Sequence, residues 1–444
     1  ADDMGLGKTL QTLSFLESLR QEGELGNALI VVPTSLVYNW KSESQKFTPK
    51  LPMLQFQSKD KDVLSERLKS NDGAILIVTY GLMTEHEEYF KQHAWNIHVY
   101  DEAQNIKNIV TRRATIVRQI PARFKLCLTG TPLENHLGEF YSLMDTAVSG
   151  SLGDYDEYKK TYISPAVIKK TDMDFLKVKI KPLVLRRTKK EILKELPDKT
   201  VTIMKIPFSD EQRKIYRDVA LSWNQKVKDS VKEMGEAKSQ MIMLTALLRL
   251  RQVCSDPSSI PGVKFQEEPP KFGLLRESLI NIVESGESAI VFTQFIPSLE
   301  RILKTLKQEN IPAFSLDGRM TKAKREETLH GFNEYDGGAV LCMTLKTGGV
   351  GLNLTKASYV FHMEPWWNPA VENQATDRVH RIGQERHVQV YRYLMEESVE
   401  EKIEFLKERK SSHFQALFSD VEVEKDIHQT SSQITQDDFE YLLS

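Results

Sequence analysis

In the first part of the chain, hydrophobic positions follow two patterns: helical spacing and short continuous runs. Leucines recur at about helical spacing between Thr9 and Leu19, which predicts a helix there. Four short apolar runs follow, mostly rich in Ile, Val and Leu: Ala28–Val32, Ala74–Val78, Ile97–Tyr100 and Lys125–Leu128. Such runs are typical of strands buried in a parallel sheet. The pattern therefore predicts an α/β lobe.

The last part of the chain repeats this pattern. Short apolar runs occupy Ala289–Phe292, Pro312–Leu316, Ala339–Met343, Tyr359–Met363 and Val388–Leu394. Helical spacing intervenes at Ser298–Lys307, Lys322–Phe332 and Ala370–Arg381. We therefore expect a second α/β lobe with a parallel sheet.

The middle of the chain is charged and largely helical. Lys177–Glu195 is a basic run in which Pro182 interrupts any single helix. This run is either a solvated face or a surface that meets phosphates. Leu196–Asp198 ends the basic run and a predicted strand follows at Val201–Ile206, so this is the best place for a boundary between the lobes. A second helical block then covers Glu211–Gln252.

Composition narrows the class of protein. With 444 residues, 40% of them hydrophobic, the chain can form roughly two to four globular domains. It has no apolar run long enough to span a membrane. Its three cysteines lie too far apart in the sequence to suggest a disulfide framework or a zinc site, and this cysteine pattern favours a reducing, cytosolic setting. A net charge of -2 excludes a globally basic nucleic-acid binder, although a local basic groove can still bind phosphates.

The first nine residues, ADDMGLGKT, are typical of a phosphate-binding loop. Gly5 and Gly7 allow a sharp turn, Lys8 can reach phosphates, and Thr9 can hold magnesium at the start of a helix. The loop departs from the strict motif in two ways. The strict motif has glycine at the position of Asp2. It also follows a buried strand, and we expect that strand to be missing here together with the natural start of the protein. The alternative is a flexible terminal turn.

Other candidate groups follow predicted strands, where open α/β sheets bind ligands. Asp101 and Glu102 can hold magnesium and polarise the attacking water, unless they are merely an acidic strand end facing solvent. Thr129–Thr131 alone reads as an ordinary turn. Residues Thr347–Asn353 form a glycine-rich segment whose backbone amides can approach a phosphate.

A predicted helix at Asn373–Ile382 carries the most informative charges. Its residues Gln374, Asp377, Arg378 and Arg381 share one face. An ordinary amphipathic surface helix would show the same spacing. In a two-lobe ATPase, however, arginines from the second lobe would neutralise charge on the transferred phosphoryl group.

Together these motifs closely resemble the Swi/Snf-type family of double-stranded-DNA translocases, the chromatin-remodeller ATPases of helicase superfamily two, and in particular their bacterial branch. The resemblance runs in order through nearly the whole chain, including VVPTSLVYNW, DEAQ, LTGTPLENHLGEFYSLM, LVLRRTKKEILKELPDK, LLRLRQVCSDP, IVFTQF, LKTGGVGLNLT, EPWWNPAVENQATDRVHRIGQ and SVEEKI.

The resemblance implies two RecA-like lobes with an ATP cleft between them, each carrying a helical protrusion. The expected bounds are 1–197 for the first lobe with a protrusion at about 136–196, 198–410 for the second with a protrusion at about 207–260, and 411–444 for a helical tail. The family's adenine-contacting segment, upstream of the phosphate loop, is absent from this sequence. Glu364 stands where the bacterial pattern usually has Asp, and Asn373 stands where an acidic residue is common, with little effect expected from either.

The resemblance also implies residue roles. Catalysis would use Lys8, Glu102, Arg378 and Arg381, and magnesium would bind Thr9 and Asp101. ATP would contact Gly5, Gly7, Lys8, Thr9, Gln104, Gly349, Arg378 and Arg381, and Gln104 with Thr129–Thr131 would pass the nucleotide state to lobe movement. Duplex DNA would contact Thr34, Asn39, Tyr80, Gly81, Arg319, Thr344, Lys346 and Trp367, of which Trp367 could equally be a core aromatic.

The expected function is that of a DNA-stimulated ATPase that translocates on double-stranded DNA and remodels protein–DNA complexes without strand separation. The expected setting is the bacterial cytoplasm, at the nucleoid, as a monomer with no membrane partner. One alternative is a motor that displaces RNA polymerase from nucleic acid. Another is a non-catalytic or weakly active DNA clamp, because the adenine-binding segment is absent.

Overall fold

The computed structural model describes residues 1–69, 73–133, 137–165, 167–193, 195–348 and 352–405, together with Lys407, Ile427–His428 and Leu442. The chain divides into two compact units. The first unit comprises Ala1–Lys194 and Lys410–Ser432, and the second comprises Glu195–Arg409 and Gln433–Ser444. Among the described residues, no helix combines the length and apolar character needed to cross a membrane.

The first unit is built around a five-stranded parallel sheet. Its strands are β1 (Ala28–Val32), β2 (Met53–Gln55), β3 (Ile75–Thr79), β4 (Ile97–Asp101) and β5 (Phe124–Leu128), in the order β2-β3-β1-β4-β5. The central strand β1 is fully buried, with Ala28 opposite Ile75 of β3 and Ile97 of β4. The carboxyl ends of β3, β1 and β4 therefore lie side by side at one edge of the sheet.

The helices of the first unit connect these strands and continue beyond them. They are α1 (Lys8–Glu22), α2 (Val37–Phe47), α3 (Lys61–Lys69), α4 (Tyr80–Glu85), α5 (Glu87–Lys91), α6 (Arg112–Gln119), α7 (Leu137–Ala147), α8 (Tyr155–Tyr162), α9 (Lys170–Ile180) and α10 (Lys189–Ile192). A short strand β6 (Val167–Ile168) pairs antiparallel with β13 (Ile427–His428) of the C-terminal segment. The helical tail predicted at 411–444 otherwise lies outside the described residues.

The second unit contains a six-stranded parallel sheet in the order β7-β12-β11-β8-β10-β9. Its elements in chain order are β7 (Lys199–Ile206), α11 (Asp210–Met234), α12 (Glu236–Ser255), α13 (Pro270–Glu284), β8 (Ala289–Thr293), α14 (Ile296–Gln308), β9 (Ala313–Leu316), α15 (Lys322–Glu334), β10 (Val340–Thr344), α16 (Leu345–Gly348), β11 (Tyr359–His362), α17 (Pro369–Thr376) and β12 (Val388–Met395), and residues 399–405 are also helical.

Alternate residues of these strands pack into two different hydrophobic clusters, one on each face of the sheet. In β8, Ala289 and Val291 belong to one hydrophobic cluster, whereas Ile290 and Phe292 belong to another. Both faces of this sheet are therefore covered, which explains why its strands appear in the sequence as continuous apolar runs. The prediction of two parallel-sheet α/β lobes is confirmed.

Two differences from the predicted elements have local causes. Strand β2 escaped detection because it has only three residues, none of them buried, and so leaves no apolar run. The predicted break at Pro182 is confirmed, since α9 ends at Ile180 and the next helix starts at Lys189.

Candidate functional site

The phosphate-loop candidate has the local geometry that its glycines predicted. Gly5 and Gly7 have φ angles of 84° and 73°, in the left-handed region that glycine adopts without strain. Helix α1 begins directly afterwards, at Lys8. The loop therefore delivers its last backbone amides to a helix N-terminus, which favours anions.

Lys8 folds back over its own loop. Its ammonium group donates to the carbonyl oxygens of Asp2 at 2.8 Å and Asp3 at 3.2 Å. The side chain is thus held above the turn, and a phosphate could replace these carbonyl oxygens as its acceptor.

The start of the loop is anchored by residues far along the chain. The Arg187 guanidinium donates to both carboxylate oxygens of Asp2, and its backbone amide donates to Asp2 Oδ1 at 3.0 Å. Arg186 donates to the Asp3 carboxylate at 2.9 Å, and the Asp3 amide donates to the Arg187 carbonyl oxygen at 3.0 Å. Paired side-chain and backbone bonds therefore fix the position of the loop.

This anchor explains two features of the sequence. Asp2, which replaces the first glycine of the strict motif, is 3% exposed and is paired with Arg187. Burial would raise the pKa of Asp2, but the bonds from Arg187 outweigh burial and lower it. Arg186 and Arg187 of the basic run are therefore paired with carboxylates of this loop. At these two positions the run matches neither predicted alternative, a solvated face or a surface that meets phosphates.

Asp101 ends strand β4 and is 6% exposed. Its Oδ2 accepts the indole N–H of Trp40 at 2.8 Å, and its Oδ1 accepts the backbone N–H of Glu102 at 2.9 Å. Burial, together with repulsion from Glu102, raises the pKa of Asp101 to about 6, against smaller opposing effects of Trp40, the Glu102 amide and Lys8. The carboxylate is therefore inside the unit, oriented by two donors, and not a solvent-facing strand end.

Glu102 adopts an unusual backbone conformation. Its φ angle is 48° and its ψ angle is 55°, a left-handed geometry that is uncommon for residues other than glycine. Such conformations persist where the surrounding structure fixes them, often at functional sites. Here the Glu102 amide is bound by Asp101 and its carbonyl oxygen accepts the Asn105 amide at 3.0 Å.

A hydrogen-bonded chain links Glu102 to the turn after β5. The Gln104 side-chain amide donates to Glu102 Oε2 at 2.8 Å, and the Thr129 hydroxyl donates to Gln104 Oε1 at 3.1 Å. The Thr131 amide in turn donates to the Thr129 hydroxyl oxygen at 3.0 Å. The Thr129–Thr131 segment is therefore connected to the acidic pair, not an isolated turn.

The same turn touches the phosphate loop. A β-carbon placed on Gly130 would lie 2.6 Å from Met4 Cγ, so the absence of a side chain at Gly130 allows Met4 to pack there. Met4 is 7% exposed. The phosphate loop, the acidic pair and the Thr129 turn are thus joined into one arrangement within the first unit.

The residues predicted to hold magnesium have suitable chemistry. Thr9 and Asp101 offer a hydroxyl and a carboxylate oxygen, the hard donors that magnesium prefers. Within the described ranges, no group of three or more His, Cys, Asp or Glu side chains is arranged to hold a metal ion by itself. This donor set therefore fits magnesium that arrives with phosphate oxygens, its usual mode at nucleotide sites.

The predicted DNA contacts of the first unit lie near the ends of β1 and β3. Thr34 opens a 3-10 turn, Thr34–Leu36, and Asn39 lies in α2 with its side-chain amide donating to Glu43 at 3.0 Å. Tyr80 is 3% exposed, and its hydroxyl donates to the Asp101 carbonyl oxygen at 2.9 Å. A DNA contact at this position would use the backbone or the exposed Gly81.

Two of the contacts predicted in the second unit lie outside the described residues: Gly349, an expected ATP contact, and the side chain of Lys346, an expected DNA contact. Arg319 pairs with Asp317 at 2.8 Å and with Glu300 at 2.9 Å while remaining 60% exposed. The Thr344 and Thr347 hydroxyls are 2.8 Å apart, and Trp367 is half-buried against the core of this unit.

The helix predicted to carry the two arginines is wrong in its second half. Helix α17 ends at Thr376, and Arg378 and Arg381 lie in the turns that follow. Beyond it, the Arg378 amide donates to the carbonyl oxygen of Ala375, three residues earlier, at 3.2 Å, and the Arg378 carbonyl oxygen accepts the amide of the distant Leu354 at 3.1 Å. Because both arginines lie past the last helical residue, the predicted common helical face does not exist.

The arginines themselves are held firmly. Arg378 is 9% exposed, and Arg381 donates to the Leu352 carbonyl oxygen at 3.3 Å. Both residues therefore lie where the turns after α17 pack against the segment after α16, at Leu352 and Leu354.

Sequence reasoning missed two supporting residues, Trp40 and Arg187. Trp40 is the last residue of the VVPTSLVYNW motif, and Arg187 is one of several charges in a basic run. Their partners are 61 and 185 positions away, respectively. No local pattern could have indicated these contacts.

Comparisons with known families match the chain on both units. The model of the SNF2-related domain matches residues 1–259, and that of the helicase conserved C-terminal domain matches residues 271–383. An uncharacterized ATP-dependent helicase of Mycoplasma pneumoniae is 37% identical over 91% of this chain and 38% of its own length. The putative ATP-dependent helicase/translocase YwqA of Bacillus subtilis is 34% identical over 93% of this chain and 45% of its length.

More distant relatives are eukaryotic and archaeal. A SWI/SNF-related matrix-associated actin-dependent regulator of chromatin from Mus musculus is 30% identical over 91% of this chain and 40% of its length. The solved structure of the Sulfolobus solfataricus SWI2/SNF2 ATPase core in complex with dsDNA is 32% identical and covers 94% of this chain and 88% of that one, with a TM-score of 0.44. The chain thus spans less than half the length of these curated relatives.

Proposed function

The chain belongs to the SNF2-related family, and from that premise we propose that it is an ATP hydrolase stimulated by duplex DNA. We further propose that it uses hydrolysis to translocate on double-stranded DNA and to remodel protein–DNA complexes, without separating the strands.

One observation carries the proposal. The buried Asp101 carboxylate, the left-handed Glu102 and the phosphate loop belong to one hydrogen-bonded and packed arrangement in the first unit. An arrangement of this kind orients charged groups before a substrate arrives, which is the main way in which proteins accelerate phosphoryl transfer. A DNA-binding module without enzymatic activity would not need it.

The residues of the first unit then have distinct roles. Gly5 and Gly7 present backbone amides to the phosphates, and Lys8 exchanges its loop carbonyls for phosphate oxygens. Thr9 and Asp101 would hold magnesium, which supplies positive charge to the phosphate oxygens when bound. Glu102 accepts the proton of the attacking water, while Gln104 fixes the direction of the Glu102 carboxylate.

The second unit contributes positive charge. We propose that Arg378 and Arg381 stabilise the charge that develops on the transferred phosphoryl group, and that Gly349 offers a backbone amide. An arginine in this role is worth about 10³ to 10⁵ in rate.

DNA is bound through its backbone in this proposal. The contacts are Thr34, Asn39, Tyr80 and Gly81 from the first unit, and Arg319, Thr344, Lys346 and Trp367 from the second. Because phosphate contacts release counterions, affinity for duplex should fall by about 0.9 log units per log unit of salt for each phosphate neutralised.

The test is steady-state ATP turnover with and without duplex DNA. Wild type should be stimulated by duplex, and Glu102→Gln should lose turnover by about 10² or more because the general base is gone. Glu66→Gln is the matched control, since Glu66 is 73% exposed on α3 and pairs with the nearby Lys69. Its turnover should equal that of wild type.

Two results would contradict the proposal. Equal losses in Glu102→Gln and Glu66→Gln would remove Glu102 from the reaction. Duplex binding with no turnover in wild type would identify the chain as a DNA clamp.

A further inference from the structure

Trp40 has a contact that packing alone does not require. Its ring is fully buried at the end of the first turn of α2, and its indole N–H donates to Asp101 Oδ2 at 2.8 Å. An indole nitrogen can only donate, so the buried Trp40 needs an acceptor at this position, and the Asp101 carboxylate supplies it. The bond therefore holds one oxygen of the proposed magnesium ligand in a defined direction.

Tyr80 binds the same residue from another side. Its ring is 3% exposed at the first position of α4, and its hydroxyl donates to the Asp101 carbonyl oxygen at 2.9 Å. Trp40 thus binds the side chain of Asp101, and Tyr80 binds its backbone. The two side chains reach Asp101 from different helices.

Each aromatic residue also adjoins a segment with a proposed DNA contact. Trp40 directly follows Asn39 and lies one helical turn after the Thr34–Leu36 turn. Tyr80 directly precedes Gly81. Because α2 follows β1 and α4 follows β3, and these strands are neighbours in register, both segments lie at the same edge of the sheet as Asp101.

We propose that Trp40 and Tyr80 are positioning residues that couple the two DNA-binding segments to Asp101. A shift of α2 or α4 caused by a DNA phosphate is carried by one rigid ring to the Asp101 side chain or backbone. Duplex binding then adjusts the orientation of an Asp101 that these bonds already hold in place. This role presupposes the DNA-stimulated hydrolysis proposed above and specifies how the stimulation reaches the site.

Coupling between two ligands can be measured without turnover, because it is reciprocal. The measured quantity is the factor by which magnesium with a non-hydrolysable ATP analogue changes the affinity for a short fluorescent duplex. If Trp40 carries the coupling, this factor should fall at least about 5-fold towards one in Trp40→Phe. Phenylalanine keeps most of the buried ring and removes the N–H donor.

Trp95→Phe is the matched control. Trp95 is also buried in the first unit, at 4% exposure, and its indole N–H donates to the Phe90 carbonyl oxygen at 2.8 Å. The variant loses the same type of bond and the same ring atoms, away from Asp101. It should lower thermal stability as much as Trp40→Phe while leaving the coupling factor as in wild type.

Tyr80→Phe tests the second connection in the same way. Its control is Tyr158→Phe, because the Tyr158 ring is 3% exposed and its hydroxyl donates to the Leu137 carbonyl oxygen at 3.2 Å. We expect Tyr80→Phe to reduce the coupling factor and the ratio of DNA-stimulated to DNA-free turnover, and Tyr158→Phe to change neither.

The outcomes separate this inference from the proposed function. If wild type shows duplex-stimulated turnover and Trp40→Phe keeps the wild-type coupling factor, the positioning role is wrong while the function stands. If Trp40→Phe and Trp95→Phe reduce coupling equally, the effect is one of stability and the inference is again wrong. If wild type shows neither stimulation nor coupling, the proposed function fails and the inference fails with it.

Discussion

In the first unit, the charged residues of the candidate site are held by side chains from distant parts of the chain. Arg187 pairs with Asp2, and Trp40 binds Asp101. In the second unit, Arg378 and Arg381 contact main-chain groups of the segment after α16: the Arg378 carbonyl oxygen accepts the Leu354 amide, and the Arg381 side chain donates to the Leu352 carbonyl oxygen. Under the proposed function, we expect changes at the supporting residues of the first unit to alter nucleotide affinity, and changes at the arginines of the second unit to alter turnover.

The largest expected effect is that of Arg381→Ala. Loss of a charge that acts mainly in the transition state should lower turnover about 10³-fold or more and leave nucleotide affinity within about 3-fold of wild type. Single-turnover hydrolysis and binding of a fluorescent ATP analogue measure the two quantities. Arg386→Ala, which breaks an ion pair with Glu287 at 2.6 Å in the same unit, is the control. If Arg381→Ala instead lost nucleotide binding and kept its turnover per bound ATP, Arg381 would act in binding and not in turnover.

Arg187→Ala should have the next largest effect. It leaves the Asp2 carboxylate, 3% exposed, without its bidentate partner, so we expect the free energy of unfolding to fall by about 2 kcal/mol and nucleotide affinity to fall about 10-fold. Adding Asp2→Asn should restore part of both losses, because it removes the unpaired charge.

The control for Arg187 is Arg20→Ala on α1. Arg20 pairs with Glu17 at 2.7 Å on the surface, three positions along the same helix. Its loss should leave both stability and nucleotide affinity close to wild type, because exposed ion pairs contribute little. If Arg187→Ala behaves like Arg20→Ala, the anchor has no functional role.

Gly130→Ala should have a smaller effect on the same loop. The added methyl group would lie 2.6 Å from Met4 Cγ and displace that side chain, at a cost of about 1 to 3 kcal/mol. Nucleotide affinity should fall with stability. The double variant Gly130→Ala with Met4→Ala should recover affinity because the clash is gone, and a failure to recover would place the effect elsewhere.

The smallest effect is expected for Arg319→Ala. If Arg319 contacts one phosphate, the slope of log affinity against log salt should become shallower by about 0.9, with only a modest loss of duplex affinity. Lys324→Ala is the control, because Lys324 is similarly exposed and ion-paired, with Glu327 at 3.1 Å. Equal slopes for both variants would mean that Arg319 serves only its pairs with Asp317 and Glu300.

The sequence predicted the fold well where packing is reflected in local patterns. Strands such as β1 and β8 are buried on both faces, so each appears as a run of apolar residues. The prediction fails where residues far apart in the sequence contact each other. Helix α17 ends at Thr376, and just beyond it the Arg378 carbonyl oxygen accepts the Leu354 amide, a bond that nothing in the spacing of residues 373–382 indicates.

The proposed reacting groups of the candidate site could be selected from the sequence, whereas the side chains that hold them could not. Lys8, Asp101 and Glu102 follow from motifs at a loop and at a strand end, since the chemistry needs those residues at those local spacings. Trp40 and Arg187 act across 61 and 185 positions, and their contacts depend on how β1, β4 and the segment after α9 fold together. Such contacts have no signature in a single sequence.

The measurement that tests the central claim most directly is displacement of a third DNA strand from a triplex by this chain with ATP. Translocation on duplex DNA predicts ATP-dependent release of the third strand while the underlying duplex stays paired, and no release with Glu102→Gln. ATP turnover without release, or separation of the duplex strands, would contradict it.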